Sequence, residues 1–292
     1  MMHEWVVDAS DAGGKLLTFL SHHLGALYSS RYLKRAIENN RCLINGRTER
    51  FATTQLGAGD HVTLLLDVLL PSHQTLLSDP ARILYEDDEL LIYDKPPGIN
   101  CDENGVLKIL KAGHPTVQLV HRLDRDTTGV LLLAKSQESY LDLLTQFKKA
   151  LIRKCYRTIV DGIVHAKEGV IDNYLDRKKT YAGQTIWGSV KSGGLHARTE
   201  WKRLNNGKDA ALLHCFPKTG RTHQIRVHMA EMGHPILGDF QYGSHFYCTY
   251  RPQRYLLHAQ QTSFSHPRTG KVVTIESPIP EDFITAQNHL FT

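Results

Sequence analysis

The first part of the chain alternates between helical and strand periodicity. Apolar residues at helical spacing predict one amphipathic helix over Leu16–Leu24, and a second helix is expected to begin near Ser30. A short apolar run, Cys42–Ile44, then enters an Asn-Gly turn, which is typical of a β-hairpin. With a further strand at His61–Leu66, the pattern predicts a small α/β domain over residues 8–68.

The pattern changes after a segment that shows little periodicity. Residues 69–81 contain two prolines and predict a linker. Beyond them, Val130–Ala134 is apolar throughout and predicts a buried strand, and helical spacing follows from Ser136 to Lys149. We therefore predict a two-domain α/β (α+β) protein whose larger domain, residues 82–292, is built on a mixed, largely antiparallel sheet with flanking helices.

Composition limits the classes of protein that fit. The chain has 292 residues, of which 41% are hydrophobic, so a folded core is expected rather than global disorder. Its 5 cysteines are scattered singly, which argues against both a disulfide framework and a structural zinc site. The sequence shows neither a basic-then-apolar leader nor an apolar stretch of membrane length. These features predict a soluble protein of the reducing cytoplasm.

Three polar segments are candidates for chemistry. His121–Gly129 directly precedes the predicted buried strand, where a carboxylate could be held rigidly while arginines favour its ionised form; a solvated turn is the alternative. Lys218–His228 combines a glycine turn with a helix start, so its arginine could bind phosphate, pair with a buried carboxylate or lie on the surface. Arg153–Arg157 places a tyrosine among basic residues, which suits either base stacking or a core position.

Together these segments resemble the RluA-type pseudouridine synthase family. The family's central signature resembles His121–Lys135, and its second resembles Thr219–Gly243. An early Lys-Pro-x-Gly element matches Lys95–Gly98, and a C-terminal element matches Tyr255–Pro267. The resemblance extends from about residue 83 to residue 283, and it implies site-specific isomerisation of uridine to pseudouridine in structured RNA.

The resemblance also implies roles for individual residues. Asp124 stands where the family has its essential aspartate, and Tyr156 where a tyrosine packs against the target base. Arg221 stands where an arginine pairs with the aspartate, and Arg122 where an arginine displaces the target nucleotide from its stack. Thr128 replaces the usual serine of the signature and keeps its hydroxyl. Three further residues of the polar segments are expected to bind substrate: His121, Lys154 and Ile225.

The N-terminal region resembles the small RNA-binding domain shared by a small-subunit ribosomal protein and tyrosyl-tRNA synthetases. The matching stretches are residues 29–31, 42–47 and 59–60. The formal charge of +5 permits a polyanionic partner without demanding one, but each predicted domain holds a basic cluster, which favours an RNA-binding track over a solvated helix face. The residues predicted to contact RNA are Arg31, Lys34, Arg35, Arg47, Lys148 and Lys149.

The implied reaction breaks the bond between ribose and uracil N1, rotates the base and rejoins it through carbon 5. It consumes no group and needs no redox change, so we expect neither a cofactor nor a metal. The expected substrate is large-subunit ribosomal RNA, because family members with this N-terminal module commonly act there; transfer RNA is the alternative. We expect a monomer with RNA as its partner and no membrane association.

Three rival hypotheses remain. A glycoside hydrolase could use Asp124 and Asp126 as paired carboxylates, although the family pattern does not fix Asp126. A non-catalytic RNA-binding or ribosome-assembly factor could keep the fold as a scaffold. A metal enzyme could draw on the 17 histidines, but the chain has no His-Glu-x-x-His motif and no Cys/His ligand spacing.

Overall fold

The computed structural model divides the chain into two compact units, Met1–Ser72 and His73–Thr292. Most of the predicted linker at 69–81 lies outside the described residues. Only its last three residues, 79–81, are described, and they lead into a short 3-10 turn at Pro80–Arg82. The structure describes residues 2–25, 28, 30–38, 40–66, 79–181, 184–243 and 245–292.

The first unit packs two helices against a four-stranded antiparallel sheet in the order β1-β4-β2-β3. The predicted helices and the predicted hairpin are both present. Asn45 and Gly46 have φ of 52° and 74°, the left-handed conformation that a two-residue hairpin turn requires. The elements are β1 (Met2–Val6), α1 (Leu16–Leu24), α2 (Ser30–Glu38), β2 (Cys42–Ile44), β3 (Arg47–Glu49) and β4 (His61–Leu65).

Strand β1 extends this unit beyond the predicted start at residue 8. It pairs with β4 in antiparallel register, with Trp5 opposite Val62. No residue of β1 is fully buried, and its exposed residues include Met2 and Val6, so its sequence carries no clear alternation of apolar and polar positions. Pairing with β4, rather than local periodicity, defines this strand.

The second unit contains the remaining elements. Its helices are α3 (Val106–Leu110), α4 (Gln137–Lys148), α5 (Gln224–Glu231) and α6 (Glu281–Leu290). Its strands are β5 (Ile83–Glu86), β6 (Leu90–Lys95), β7 (Gln118–Leu119), β8 (Thr128–Ala134), β9 (Arg153–Asp161), β10 (Glu168–Tyr181), β11 (Gln184–Val190), β12 (Leu195–Asn206), β13 (Ala210–Pro217), β14 (Leu257–Ser265) and β15 (Val272–Glu276).

Among the described residues these strands form one 11-stranded sheet. Its main path runs β11-β10-β12-β13-β9-β14-β8-β6-β5, with β15 beside β14 and β7 beside β8. The pair β14–β8 is parallel, and the other pairs are antiparallel. The predicted mixed, largely antiparallel α/β architecture is therefore confirmed.

Strand β8 is apolar from Val130 to Ala134 because it is covered on both faces. Leu131 and Leu133 join one buried cluster, which α3 helps to form, while Val130 and Leu132 join another that includes Leu143 of α4. Alternate residues of a strand point to opposite faces, so a strand between two apolar layers needs a continuous hydrophobic run. This double cover fixes the strand that follows the His121–Gly129 segment.

The close approach of β14 to β8 depends on Gly129. Its φ is +108°, and a Cβ there would meet the Ala259 carbonyl oxygen at 2.2 Å. A side chain would therefore push the two strands apart at the point where their short parallel pairing occurs. Gly129 thus holds the end of the first polar segment against the C-terminal part of the sheet.

The long strands β10 to β12 and helix α6 had no clear signal in the sequence. The exposed face of β10 carries the apolar residues Val170 and Tyr174, so apolar and polar positions do not alternate strictly along its sequence. Within the described ranges, no helix is both long and apolar enough to cross a membrane.

A buried histidine attaches α5 to the sheet. His228 is fully buried, with Nδ1 2.8 Å from the Thr199 hydroxyl and Nε2 3.1 Å from the Asn173 side-chain oxygen. Because an amide oxygen only accepts, Nε2 carries the proton and Nδ1 accepts from the hydroxyl. Burial lowers the pKa of His228 to about 4, so the neutral ring is the form that fits.

We predict that His228 makes stability depend on pH between its ordinary pKa of 6.5 and about 4. As pH falls through this window the unfolded chain takes up the proton first, so the contribution present above pH 6.5 is lost. Urea unfolding can be measured from about pH 7.5 to about pH 5. The unfolding free energy of His228→Gln should fall less steeply with decreasing pH than that of wild type, and the two slopes should differ by up to about 1.4 kcal/mol per pH unit. Parallel curves would contradict the assignment.

Candidate active site

The loop that carries Asp124 is held by a buried lysine. Lys95, at the end of β6, is fully buried, and its Nζ donates to the backbone carbonyls of Pro96, Arg125 and Thr127 at 2.9, 2.8 and 2.9 Å. Two of these carbonyls, those of Arg125 and Thr127, follow Asp124 closely in the chain. Burial lowers the pKa of Lys95 to about 8, and the three acceptors use all the donors of the protonated amine.

Other contacts complete this support. The Gly98 amide donates to the Arg125 carbonyl at 3.0 Å. Arg254 donates from Nη1 to the Asp126 carbonyl at 3.1 Å, while its Nε and Nη2 bind the Asp282 carboxylate of α6 at 2.7 and 3.0 Å. Two cations thus bind three successive carbonyls, and the loop has little freedom to move the Asp124 side chain.

A second arginine faces the Asp124 carboxylate directly. Nη1 of Arg226, on α5, lies 3.4 Å from Oδ2 of Asp124. The same guanidinium binds Asp239 through two hydrogen bonds, 2.6 Å from Nε to Oδ2 and 2.9 Å from Nη2 to Oδ1, and Nη2 also reaches Gln241 at 2.7 Å. The Arg226 side chain is 5% exposed and the Asp124 side chain 25%, so one partner is fixed and the other is accessible.

The Arg226 charge is stabilised on several sides. Its guanidinium carbon lies 4.3 Å from the ring centre of Tyr255 and 5.0 Å from that of Tyr242, within the range of cation–π attraction. Burial opposes the charge, but Asp239 and the other nearby groups keep the pKa of Arg226 well above its usual value. It is therefore a permanent cation beside Asp124.

The prediction that Arg221 pairs with the aspartate is wrong in this structure. Nε of Arg221 donates to the His196 carbonyl at 2.8 Å, and Arg226 takes the position beside Asp124. Arg221 precedes α5, whereas Arg226 lies inside the helix between the buried residues Ile225 and Val227. An arginine with an apolar residue on each side in a helix is buried only when it is paired, and that signal points to Arg226.

Tyr156 packs in the second unit's core beside the Asp124 segment, and its catalytic role stays a prediction. It lies on β9, next to Ala259 of β14 and Cys215 of β13, and it packs against both apolar clusters on this side of the sheet. Burial, and then the charge of Asp124, raise the pKa of its phenol. The phenol is therefore protonated at neutral pH and can donate a hydrogen bond.

His223 is a site residue that the sequence did not single out. Its Nε2 lies 4.0 Å from Asp124 Oδ2, and its Nδ1 lies 2.6 Å from the Tyr242 hydroxyl. Burial lowers its pKa to about 4, so the ring is neutral at pH 7. His223, Asp239 and Tyr242 all fall inside the matched segment Thr219–Gly243, but their roles become visible only when the chain folds.

The predicted substrate-binding residues have different surroundings. His121 Nε2 accepts from the Leu132 amide at 3.0 Å, and burial lowers its pKa to about 3, so this ring braces β8. Lys154 Nζ donates to the Thr219 carbonyl at 3.2 Å, while Ile225 packs in the cluster that Tyr156 borders. Arg122 is exposed and has no ion-pair partner within the described part of the chain. Substrate binding by all four stays a prediction.

The predicted RNA contacts are partly described. Arg47, Lys148 and Lys149 are exposed, and Lys34 is 56% exposed, with its Nζ 3.9 Å from Glu38. The side chains of Arg31 and Arg35 lie outside the described residues.

Among described residues one group could hold a metal ion, formed by Asp11, His22 and His23 of the first unit, and it includes no residue around Asp124.

The site can therefore present an accessible carboxylate on a rigid loop, next to a fixed cation and a protonated phenol. Such a carboxylate can attack or stabilise an electron-poor carbon, while the neighbouring donors hold its orientation. These side chains can stabilise charge and position a substrate.

Comparison with known proteins shows which family the chain resembles. Residues 89–231 match the family model described as RNA pseudouridylate synthase. The chain is 38% identical to ribosomal large subunit pseudouridine synthase D of Nitrosomonas europaea over 221 residues, which cover 70% of this chain and 63% of that protein. It is 30% identical to the enzyme of the same name from Haemophilus influenzae, over 90% of this chain and 87% of that protein.

A solved structure shares the fold. Human RNA pseudouridylate synthase domain containing 4 superposes with a TM-score of 0.62 at 24% identity, over 74% of this chain and 96% of that chain. Fold and site thus define an RNA pseudouridine synthase. The chain belongs to the RluA-type family of these isomerases.

We predict that the two arginines of this segment respond differently to replacement by lysine. Arg226→Lys keeps a charge but loses the bidentate contact with Asp239 and the stacked geometry, so the rate of pseudouridine formation should fall about 100-fold or more. Arg221→Lys should keep the rate within about threefold. Equal losses in single-turnover assays would restore Arg221 as the partner of Asp124.

We also predict that Lys95→Met uncouples the loop from the sheet. Three buried carbonyls lose their donor, so the unfolding free energy should fall by about 2–4 kcal/mol and the rate about 100-fold. Lys135→Met is the control, because its contacts with Glu86 at 2.8 Å and with the Asp87 carbonyl at 2.5 Å are nearer the surface and should be worth about 1 kcal/mol or less. Similar losses in urea titrations of the two variants would refute a special role for Lys95.

Proposed function

We propose that this protein converts specific uridines to pseudouridine in large-subunit ribosomal RNA. The observation that carries the proposal is the accessible Asp124 carboxylate, held by a clamped loop beside Arg226. The relatives from Nitrosomonas europaea and Haemophilus influenzae are both named as ribosomal large subunit enzymes, which supports this choice of RNA over transfer RNA.

In the proposed reaction Asp124 acts at the sugar. Its carboxylate supplies negative charge at ribose as the bond from carbon 1′ to uracil N1 breaks. The base rotates and forms a bond from its carbon 5 to carbon 1′; the hydrogen on carbon 5 leaves as a proton and N1 gains one, so atoms and electrons balance. Tyr156 packs beside the base, and its protonated phenol is a donor in this pocket.

The target uridine must leave its stack before it can reach Asp124. Unstacking costs a few kcal/mol, which pocket contacts and an inserted side chain offset. Arg122 suits this role because it is exposed and lies two residues from Asp124. The exposed Lys148 and Lys149 suit phosphate contacts in the catalytic unit, and Arg47 and Lys34 suit them in the N-terminal unit.

The remaining expectations belong to the same proposal. We infer that the N-terminal unit binds RNA, and that the protein acts as a cytoplasmic monomer without a cofactor. We propose that residues 69–81 are a linker between the two units. None of these features is needed for the chemistry at Asp124, so each can be tested separately.

The experiment incubates purified protein with unmodified transcripts of large-subunit ribosomal RNA domains and of transfer RNAs. Pseudouridine is then mapped by carbodiimide modification and primer extension. We expect specific sites in ribosomal RNA with wild type and none with Asp124→Asn, because the amide cannot supply the negative charge. Modification confined to transfer RNA would redirect the substrate assignment.

Asp126→Asn is the matched control. Asp126 is the neighbouring carboxylate and is paired with Arg125 at 3.4 Å. Retained activity in this variant, with no free uracil released, excludes a hydrolase that uses paired carboxylates. If wild type and Asp124→Asn both bind RNA but neither forms pseudouridine, the result favours the hypothesis of a non-catalytic RNA-binding protein.

A further inference from the structure

His223 has a backbone conformation that needs a reason. It is the residue before the first turn of α5, its φ is 56°, and its side chain makes no capping hydrogen bond with the helix. A non-glycine residue in the left-handed region costs free energy, and such residues concentrate at functional sites.

The left-handed backbone places the His223 ring between two groups of the site. On one side Nδ1 is 2.6 Å from the Tyr242 hydroxyl, and on the other Nε2 is 4.0 Å from Oδ2 of Asp124. The side chain is 19% exposed, so water does not separate the ring freely from these partners. The conformation therefore aims the ring at Asp124 and not at the helix.

The hydrogen-bond partners of Tyr242 determine the tautomer of the ring. The Trp187 amide of β11 donates to the Tyr242 hydroxyl oxygen at 3.2 Å, which leaves the phenol proton free for His223 Nδ1. Burial raises the pKa of Tyr242 to about 12, so the phenol keeps that proton at neutral pH. A neutral imidazole that accepts at Nδ1 carries its proton on Nε2.

Electrostatics favours the same tautomer. The opposite one would present an unprotonated Nε2 lone pair to the Asp124 carboxylate, so that two acceptors would face each other. With the proton on Nε2, the ring presents an N–H to Oδ2, beside Nη1 of Arg226 at 3.4 Å from the same oxygen. Both donors approach one oxygen of the carboxylate.

We propose that His223 is a positioning residue for the pseudouridine reaction: held by Tyr242 as the Nε2–H tautomer, it donates to Oδ2 of Asp124 when substrate closes the site. The proposal rests on the proposed function. Closure by about 1 Å brings the 4.0 Å separation into hydrogen-bond range. With Oδ2 bound by His223 and Arg226, Oδ1 is the oxygen left to face the sugar.

This arrangement connects Asp124 to the strand pair β10–β11. The Trp187 amide holds Tyr242, and the Thr185 carbonyl accepts from the side-chain amide of Gln241 at 3.1 Å. Gln241 in turn binds Arg226. Both donors to Asp124 are therefore supported by the backbone of β11, so the placement of this strand affects how the carboxylate is held.

Two variants separate the two sides of the His223 ring. The amide of asparagine occupies the place of Nδ1, and asparagine tolerates the left-handed conformation, so His223→Asn keeps the contact with Tyr242 and loses the donor to Asp124. The amide of glutamine reaches the place of Nε2, so His223→Gln keeps a donor towards Asp124. Urea unfolding of both variants checks that each is folded.

Single-turnover and steady-state assays on the ribosomal RNA transcript provide the kinetic test. We expect His223→Asn to lower kcat about tenfold or more with KM within about twofold of wild type, the size of one lost hydrogen bond to a charged group. His223→Gln should stay within about threefold of wild type. The proposal is overturned if the folded variants have equal rates, or if the loss appears in KM alone.

A measurement without catalysis tests the tautomer. Long-range proton–nitrogen correlation spectra of protein labelled with nitrogen-15 in histidine report which ring nitrogen carries the proton, and His223→Gln identifies the signal. We expect Nε2–H in wild type and a mixture of tautomers in Tyr242→Phe. A wild-type ring protonated on Nδ1 would overturn the proposal. An inactive wild type with the expected tautomer would instead count against the proposed function.

Discussion

The site of the catalytic unit depends on the contacts of the buried Arg226 guanidinium. It binds Asp239 and Gln241 on one side, lies between two tyrosine rings, and presents its remaining nitrogen to Asp124. Removing a charge from water costs several kcal/mol unless its partners are in place, so this cation requires the surrounding groups to be fixed. The accessible carboxylate is held by a partner that cannot move with it.

A second principle organises the loop itself. A loop that enters a buried strand brings backbone carbonyls into a region without water, and each needs a donor. Here the donors are cationic side chains from distant parts of the chain, Lys95 from β6 and Arg254 from the segment before β14. Cationic side chains thus have two roles here: Lys95 and Arg254 donate to backbone carbonyls of the loop, and Arg226 orients the Asp124 carboxylate.

The sequence predicted the fold class, the two helices and the hairpin of the first unit, and the buried strand after Asp124, because each has a strong local signal. The motif segments contain the residues that lie around Asp124, but the sequence analysis named Arg221 where the structure has Arg226. Only the start of α5 at Gln224 decides which arginine points inwards. Strand β1 and the long strands β10 to β12 depend on pairing across the sheet, which local periodicity does not report.

The parallel pairing of β14 with β8 also has a consequence for synthesis on the ribosome. The Thr128 hydroxyl and His258 Nδ1, 3.0 Å apart, are separated by 130 positions along the chain. Contacts of such sequence separation form late, since loop-closure entropy opposes them, and chains emerge from the N-terminus onwards. The Asp124 loop leaves the ribosome long before Arg226, Arg254 and β14 do. Nascent chains therefore stay incompetent for chemistry until β14 has been made.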